Sequence, residues 1–232
     1  MGKLLIAANR LPVSVERRHG TNRYHSSVGG LATGLSSIHG ADDRLWVGWP
    51  GVSARLDSTE RETLRRELRD HHQCEPVFLT PDDVTDFYHG FSNRTIWPLF
   101  HYFNQYAEFE PRFWQAYERV NRKYRDAILE LYSPGDRIWI HDYQLMLLPQ
   151  MLREKLPTAS IGFFLHIPFP SWELVRLLPW RREIIEVILG SGLLGFHPND
   201  NVQHFLRLWR PPTAHGARNG LLASAGGVGL AA

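Results

Sequence analysis

The chain has 232 residues, 43% of them hydrophobic, with a formal net charge of +2 when the histidines are neutral. That composition excludes a disordered chain and suffices for one large globular domain or two small ones, and its interspersed basic and acidic residues exclude the footprint of a nucleic-acid binder. Cys74 is the single cysteine, so no intramolecular disulfide or cysteine-based zinc cluster can form, and a reducing cytoplasm is the expected compartment.

The opening MGKLLIAANRLPV carries one lysine and a short apolar run closed by polar Asn9 and Arg10. It lacks the small-residue cleavage site of a signal peptide and predicts a first strand, Lys3 to Ala8. After the Gly-rich SVGGLATGL, a helix is expected over Gly30 to Ile38, then a strand at Leu45 to Val47. A helix over Ser58 to His71 follows, with Ser58 as its N-cap and Arg61 and Glu62 behind it. The remaining expectations are a strand at Val77 to Leu79, a helix at Pro111 to Leu131, a strand at Arg137 to Ile140, a helix at Leu145 to Lys155, a strand at Ile161 to Leu165, a helix at Trp180 to Leu189, a strand at Leu193 to Phe196 and a helix at Asn199 to Trp209. Apolar strands alternating with amphipathic helices predict an α/β fold with a mostly parallel sheet covered by helices. No run approaches the roughly 18 apolar residues of a membrane span, so no membrane partner is expected. From Pro211 onward, PPTAHGARNGLLASAGGVGLAA has almost no charge, no aromatic and no periodicity. Residues 211–232 are therefore expected to be a disordered tail, or a frameshifted one, after a domain over 1–210. Sequencing the locus through Arg210 and finding no slipped base would remove the frameshift.

In open α/β sheets ligands lie beyond the carboxyl ends of the strands, so polar residues directly after apolar runs are the first candidates for function. Asn9 and Arg10 follow LLIAA; His141, Asp142 and Tyr143 follow RIWI; His166 follows IGFFL. Arg10 offers a planar fork suited to phosphate, or alternatively a surface salt bridge. Asp142 can accept sugar hydroxyls or act as a base, or simply cap the next helix. His166 can donate to a hydroxyl, or be a satisfied core histidine. Gly29 and Gly30 could admit a phosphate to backbone N–H groups, although the segment matches neither the Walker nor the dinucleotide pattern. DFYHGFSNRTIWPLFHYF contains Tyr88 and Trp97, aromatic faces on which a sugar can stack, though most such rings serve a core.

Taken together, ANRLPV, SVGGLATGL, LWVGWPG, FYHGFSNRTIWPLFHY, IWIHDYQLMLLPQMLR and GFFLHIPFPSWELVRLLP resemble, in order, the trehalose-6-phosphate synthases of glycosyltransferase family 20. The likeness runs from about Lys3 to Arg210. It implies a Rossmann-like domain, the N-terminal half of a GT-B glycosyltransferase, without the C-terminal nucleotide-sugar domain. It further implies retaining transfer of glucose from a nucleotide-glucose, UDP-glucose being the expected donor, to glucose-6-phosphate, with no cofactor and no metal. Arg10, Tyr88, Trp97 and Asp142 would hold the acceptor, with Arg10 near its phosphate. Gly29, Gly30 and His166 would face the donor, Trp49 would line the same cleft, and Asp142 and His166 would flank the reacting centre. Gln144, Trp172 and the block His197, Pro198, Asn199 depart from the family pattern.

The chain alone is expected to be inactive, because the basic pair that neutralises the leaving pyrophosphate belongs to the other half. Exposed apolar surface there would favour self-association into a homo-oligomer. The competing reading is a non-catalytic sugar-phosphate-binding module derived from the enzyme. A relative that glucosylates another phosphorylated acceptor, such as glycerol-3-phosphate, is a third.

Overall fold

The computed structural model describes residues 2–18, 21–26, 43–52, 56–197, 199–208 and 229–231. Its principal sheet is parallel, with strands β1 (Leu4–Arg10), β4 (Arg44–Trp49), β5 (Cys74–Pro76), β6 (Arg137–His141), β7 (Ser160–Leu165), β8 (Leu193–Phe196) and β9 (Gly229–Ala231) in the order β5-β4-β1-β6-β7-β8-β9. A separate antiparallel hairpin is formed by β2 (Val13–Arg18) and β3 (Thr21–Ser26). The chain builds outward from β1 to β4 and β5, then returns to β6 on the other side of β1. The direction of winding therefore reverses between β1 and β6, and such a switch opens a crevice at the carboxyl ends of those two strands.

β1 is buried on both faces, as a central parallel strand must be. Leu5 and Ala7 enter one core with Val47, Ile138 and Ile140, while Leu4, Ile6 and Ala8 enter a second with Trp46 and Cys74. The second core is closed by α1 (Ser58–His72) through Leu64 and Leu68. The N-cap of α1 is Asp57, not Ser58: its carboxylate accepts from the Glu60 amide at 2.8 Å while Glu60 reaches back to the Asp57 amide at 2.9 Å, a reciprocal capping box.

The first core is closed by α2 and α3. α2 is a continuous helical stretch with α geometry over Pro81–Asp83, wider π geometry over Val84–Ile96 and α geometry again over Trp97–Phe100. α3 (Pro111–Leu131) buries Phe113, Tyr117, Val120, Tyr124 and Ile128 on one stripe, the spacing of a single helix face. At Gly90 the two helices pack closely, since a Cβ there would lie 2.6 Å from the Phe113 ring. Three short helices, α4 (Leu148–Arg153), α5 (Trp172–Val175) and α6 (Arg181–Ile188), then α7 (Asn199–Leu208), follow along the chain, with 3-10 turns at Asn104–Tyr106 and Tyr143–Leu145.

The α/β architecture agrees with the alternation of apolar and amphipathic segments, but several boundaries do not. The strand expected at Val77 to Leu79 lies at Cys74–Pro76; Val77 adds one further bond, its amide donating to the Gly48 carbonyl at 2.8 Å. The helix expected over Leu145 to Lys155 is split into a 3-10 turn at Tyr143–Leu145 and α4, because Pro149 can sit only in a first turn. α2 went unread because its aromatic, Gly- and Pro-containing sequence has no clean helical period, although Thr80 and Asp83 form a capping box ahead of it. The hairpin went unread because polar and charged residues fill ERRHGTNRYHS. It is fastened to α1 by polar contacts, Asn22 donating to Glu67 at 3.0 Å and Arg17 pairing with Glu60. Gly229–Ala231, inside the segment without periodicity, runs parallel to β8. The helix expected over Gly30 to Ile38 lies outside the described residues.

Candidate functional site

At the carboxyl end of β1, Arg10 is exposed and its guanidinium carbon lies 4.3 Å from the centroid of the Trp49 ring, at the end of β4. Trp49 is held from three sides: its indole N–H donates to the Val52 carbonyl at 3.0 Å, its amide donates to the Tyr124 hydroxyl oxygen at 3.2 Å, and its ring meets Tyr88 at 6.2 Å. Tyr124 in turn donates to the Asn9 carbonyl at 2.7 Å, fastening the ends of β1 and β4 to α3. Gly51, at φ +86°, completes the arrangement, since a Cβ there would sit 3.0 Å from Arg10 Nη1. Arg10 has no carboxylate partner among the described residues, and the contact it does make is the stack on Trp49. Stacked on an indole, its donor edge remains available to an anion.

Asp142 follows β6 with φ 75° and ψ 171°, a backbone region that non-glycine residues rarely occupy and that concentrates at functional sites. Its Oδ1 accepts from the Tyr143 amide at 3.0 Å and from the His166 amide at 3.2 Å, which joins the ends of β6 and β7. The carboxylate thus does cap the 3-10 turn, but this uses one oxygen only. Burial pushes Asp142 up to about 6, opposed by the two amide bonds and by His197 and His101. At neutral pH it is a desolvated carboxylate, an acceptor stronger than one in water.

His166 is not a conventionally satisfied core histidine. Its Nε2 lies 3.0 Å from His141 Nδ1, and its ring packs beside Phe164 at 4.7 Å and His197 at 5.5 Å. Burial holds His141 down to about 3 and His166 down to about 4, with neighbouring histidines adding repulsion. A histidine whose folded pKa is depressed stabilises the fold fully above its ordinary value of 6.5, and that stability is lost as pH falls through the folded value. The free energy of unfolding in urea should therefore decline between about pH 6.5 and 4. Replacing His166 by Gln should flatten that decline by about one proton's worth, ~1.4 kcal/mol per pH unit; an unchanged slope would refute the assignment.

The third wall is α2. Tyr88 is half-buried against Trp49; Asn93 accepts from the Tyr143 hydroxyl at 3.0 Å; Trp97 is 41% exposed and stacks on His101 with centroids 4.1 Å apart. The structure thus joins Arg10, Trp49 and Tyr88 in one set and Asp142 and His166 in another, across the switch between β1 and β6. Trp97 is exposed and stacks with His101 and Phe103; no ring or cation–π contact joins it to Tyr88 or Arg10 among the described residues. Gly29 and Gly30 lie outside the described residues. Asn93, His101, Tyr117 and Tyr124 were not singled out from sequence. Tyr117, fully buried, donates to the Tyr143 carbonyl at 2.6 Å and accepts from the Met146 amide at 3.0 Å, shaping the loop that carries Asp142. The only sequence signal for the two tyrosines was their place on the apolar stripe of α3, which does not announce a hydrogen bond. Among the described residues no group of three or more His, Cys, Asp or Glu could hold a metal ion, and no helix is long and apolar enough to cross a membrane.

The arrangement offers an exposed cation, aromatic faces and a half-buried carboxylate bound to the backbone of a half-buried histidine. The sequence model of glycosyltransferase family 20 matches residues 2–213. A bifunctional trehalose-6-phosphate synthase/phosphatase of Thermoproteus tenax is 46% identical over 216 residues, covering 88% of this chain and 28% of its own length. Among solved structures, an E. coli protein described as bound with UDP-2-fluoro glucose superposes with a TM-score of 0.73 at 30% identity, covering 92% of this chain and 45% of that one. An α,α-trehalose-phosphate synthase (UDP-forming) from Burkholderia xenovorans in complex with glucose-6-phosphate gives 0.69 at 29% identity, covering 88% and 42%. The chain spans less than half the length of these proteins, and its fold matches the N-terminal Rossmann-like half expected of a GT-B enzyme. With a sequence model that matches residues 2–213, the chain belongs to glycosyltransferase family 20.

Proposed function

We propose that this chain forms the acceptor side of a retaining glucosyltransferase that joins a nucleotide-activated glucose, with UDP-glucose as donor, to glucose-6-phosphate, giving trehalose-6-phosphate. The observation that carries the reading is the Arg10 guanidinium stacked 4.3 Å over Trp49, without an ion-pair partner among the described residues, at the switch between β1 and β6. Arg10 binds the phosphate, Tyr88 and Trp49 present ring faces to the hexose, and Asp142 accepts from hydroxyls near the reacting carbon. Trp97, exposed near these groups in sequence, contributes a further contact to the bound sugar. His166 contacts the donor glucose, and the backbone at Gly29 and Gly30 faces the diphosphate. In a retaining transfer without a protein nucleophile, the enzyme's task is to hold both sugars and to stabilise charge on the departing diphosphate. On this reading the nucleotide and that charge fall to a part of the enzyme outside the matched span. The chain by itself is therefore expected to turn over little or nothing, and to act in the cytoplasm as part of trehalose synthesis.

Binding is the direct test. Saturating glucose-6-phosphate should raise the melting temperature of the chain, since a ligand at a hundred times its dissociation constant contributes ~2.7 kcal/mol. Arg10→Ala should weaken binding by about ten- to a hundredfold, the worth of a charge-assisted hydrogen bond. Glycerol-3-phosphate at the same concentration should have a much smaller effect, because it leaves the aromatic faces unfilled. Equal shifts for the two phosphates, or no shift with glucose-6-phosphate, would sink the hexose reading. Release of UDP from UDP-glucose and glucose-6-phosphate well above that of an Arg10→Ala, Asp142→Ala double variant would overturn the expectation of inactivity.

A further inference from the structure

His141 is fully buried at the end of β6, and both of its ring nitrogens are enclosed. Its Nδ1 lies 3.0 Å from His166 Nε2, while its Nε2 is sealed from solvent with no partner among the described residues. One proton must lie between Nδ1 and Nε2, and the two ways of placing it differ in what they strand. If His166 donated, His141 would have to carry its own proton on Nε2, leaving a buried N–H with no acceptor. If His141 donates from Nδ1, its Nε2 is a bare lone pair. Orphaned buried N–H groups are rarer in folded proteins than under-satisfied acceptors, so the second arrangement wins. Burial disfavours adding a proton to either ring, which leaves both neutral and the choice sharp.

From this contact we infer that His141 is a positioning residue, donating from Nδ1 to His166 Nε2 and so fixing His166 as the tautomer that carries its proton on Nδ1. The rest of the environment holds the pair together. The His166 amide is bound by Asp142 Oδ1 at 3.2 Å, and its ring packs among those of His141 at 5.2 Å, Phe164 at 4.7 Å and His197 at 5.5 Å. His166 Nδ1, by contrast, is unpartnered among the described residues without being sealed off. Resting on the reading of His166 as a donor-glucose contact, the consequence is that the imidazole meets the sugar as a hydrogen-bond donor to an oxygen, with its accepting nitrogen already used. A histidine free to choose would present either nitrogen, and part of the population would be mismatched.

The test is a two-bond 1H–15N correlation spectrum of the histidine rings in the sugar-free chain near pH 7.5. His166 should show a protonated Nδ1 and a bare Nε2. His141→Asn places an amide donor close to the lost Nδ1 and should keep that pattern. His141→Phe keeps the ring volume without a donor and should return His166 to the Nε2-protonated form that free imidazole side chains favour. A protonated Nε2 on His166 in the unmutated chain overturns the inference, as does a pattern that the Phe variant leaves unchanged. Should the Phe variant not fold, the unmutated and Asn spectra still decide. Because no sugar is present, this outcome is independent of glucose-6-phosphate binding, and either reading can fail without the other.

Discussion

Phe91→Ala is expected to cost the chain about 3–5 kcal/mol of stability, the range for deleting a fully buried aromatic side chain from a close-packed core. Phe91 is 0% exposed, and its ring centroid lies 4.4 Å from Tyr117, 5.4 Å from Trp114 and 5.7 Å from Trp180. Those neighbours cannot collapse into the space. Trp114 and Trp180 are stacked on each other at 5.3 Å, and Tyr117 is committed through its hydroxyl to the Tyr143 carbonyl and the Met146 amide. The cavity would therefore persist, which places the expected loss at the upper part of the range. The same residue lies on the π-helical stretch between Tyr88 and Trp97, so the loss should also weaken binding of glucose-6-phosphate at a distance. Urea titration should show a lower midpoint with an unchanged slope. Phe103→Ala, at a ring 48% exposed, serves as the control and should stay within about 0.5 kcal/mol. A loss below about 1.5 kcal/mol for Phe91→Ala would mean that the aromatic cluster is not the rigid support described.

Asp142→Asn is expected to do the opposite to stability while removing the acceptor strength of the site. The folded chain holds the Asp142 proton up to about 6, against an ordinary value of 3.8. A group raised in this way stabilises the fold fully below its unfolded pKa, and that stability is lost as pH rises through the folded one. Above about pH 6 the ionised carboxylate is therefore a burden on the fold, on the order of 1–3 kcal/mol given the burial that causes it. The amide oxygen of Asn can still accept from the Tyr143 and His166 amides without bringing a charge, and Asn tolerates positive φ nearly as well as any non-glycine residue. At pH 7.5 the variant should be more stable than the unmutated chain by about that amount, and the gap should close near pH 3.5. A less stable variant at pH 7.5, or a gap independent of pH, would show that burial of Asp142 is not strained. A site that destabilises its own fold where it holds charge is the common trade of stability for function.

Much of this was legible before any coordinates. Arg10, Asp142 and His166 could be picked out because each follows an apolar run, and a parallel sheet places such residues on one edge whatever its detailed order. The α/β class followed from the alternation of segments, and the apolar stripe of Pro111–Leu131 from its helical period, since both are properties of spacing along the chain. The order of motifs likewise carried the family likeness. What distances along the chain could not supply were partners. Nothing local pairs His141 with His166, Arg10 with Trp49, or Tyr124 with Asn9, because each contact is closed by the register of neighbouring strands or by a helix crossing them. Nor does local propensity announce the π geometry of Val84–Ile96, where α2 packs against α3 with no side chain at Gly90 to hold off Phe113. The sequence by itself determined the class of fold and the kinds of chemical group at its open edge, because these depend on periodicity and residue type. Which nitrogen, which ring and which carboxylate oxygen face the crevice was decided only by tertiary structure, because hydrogen bonding and desolvation depend on neighbours brought together by folding.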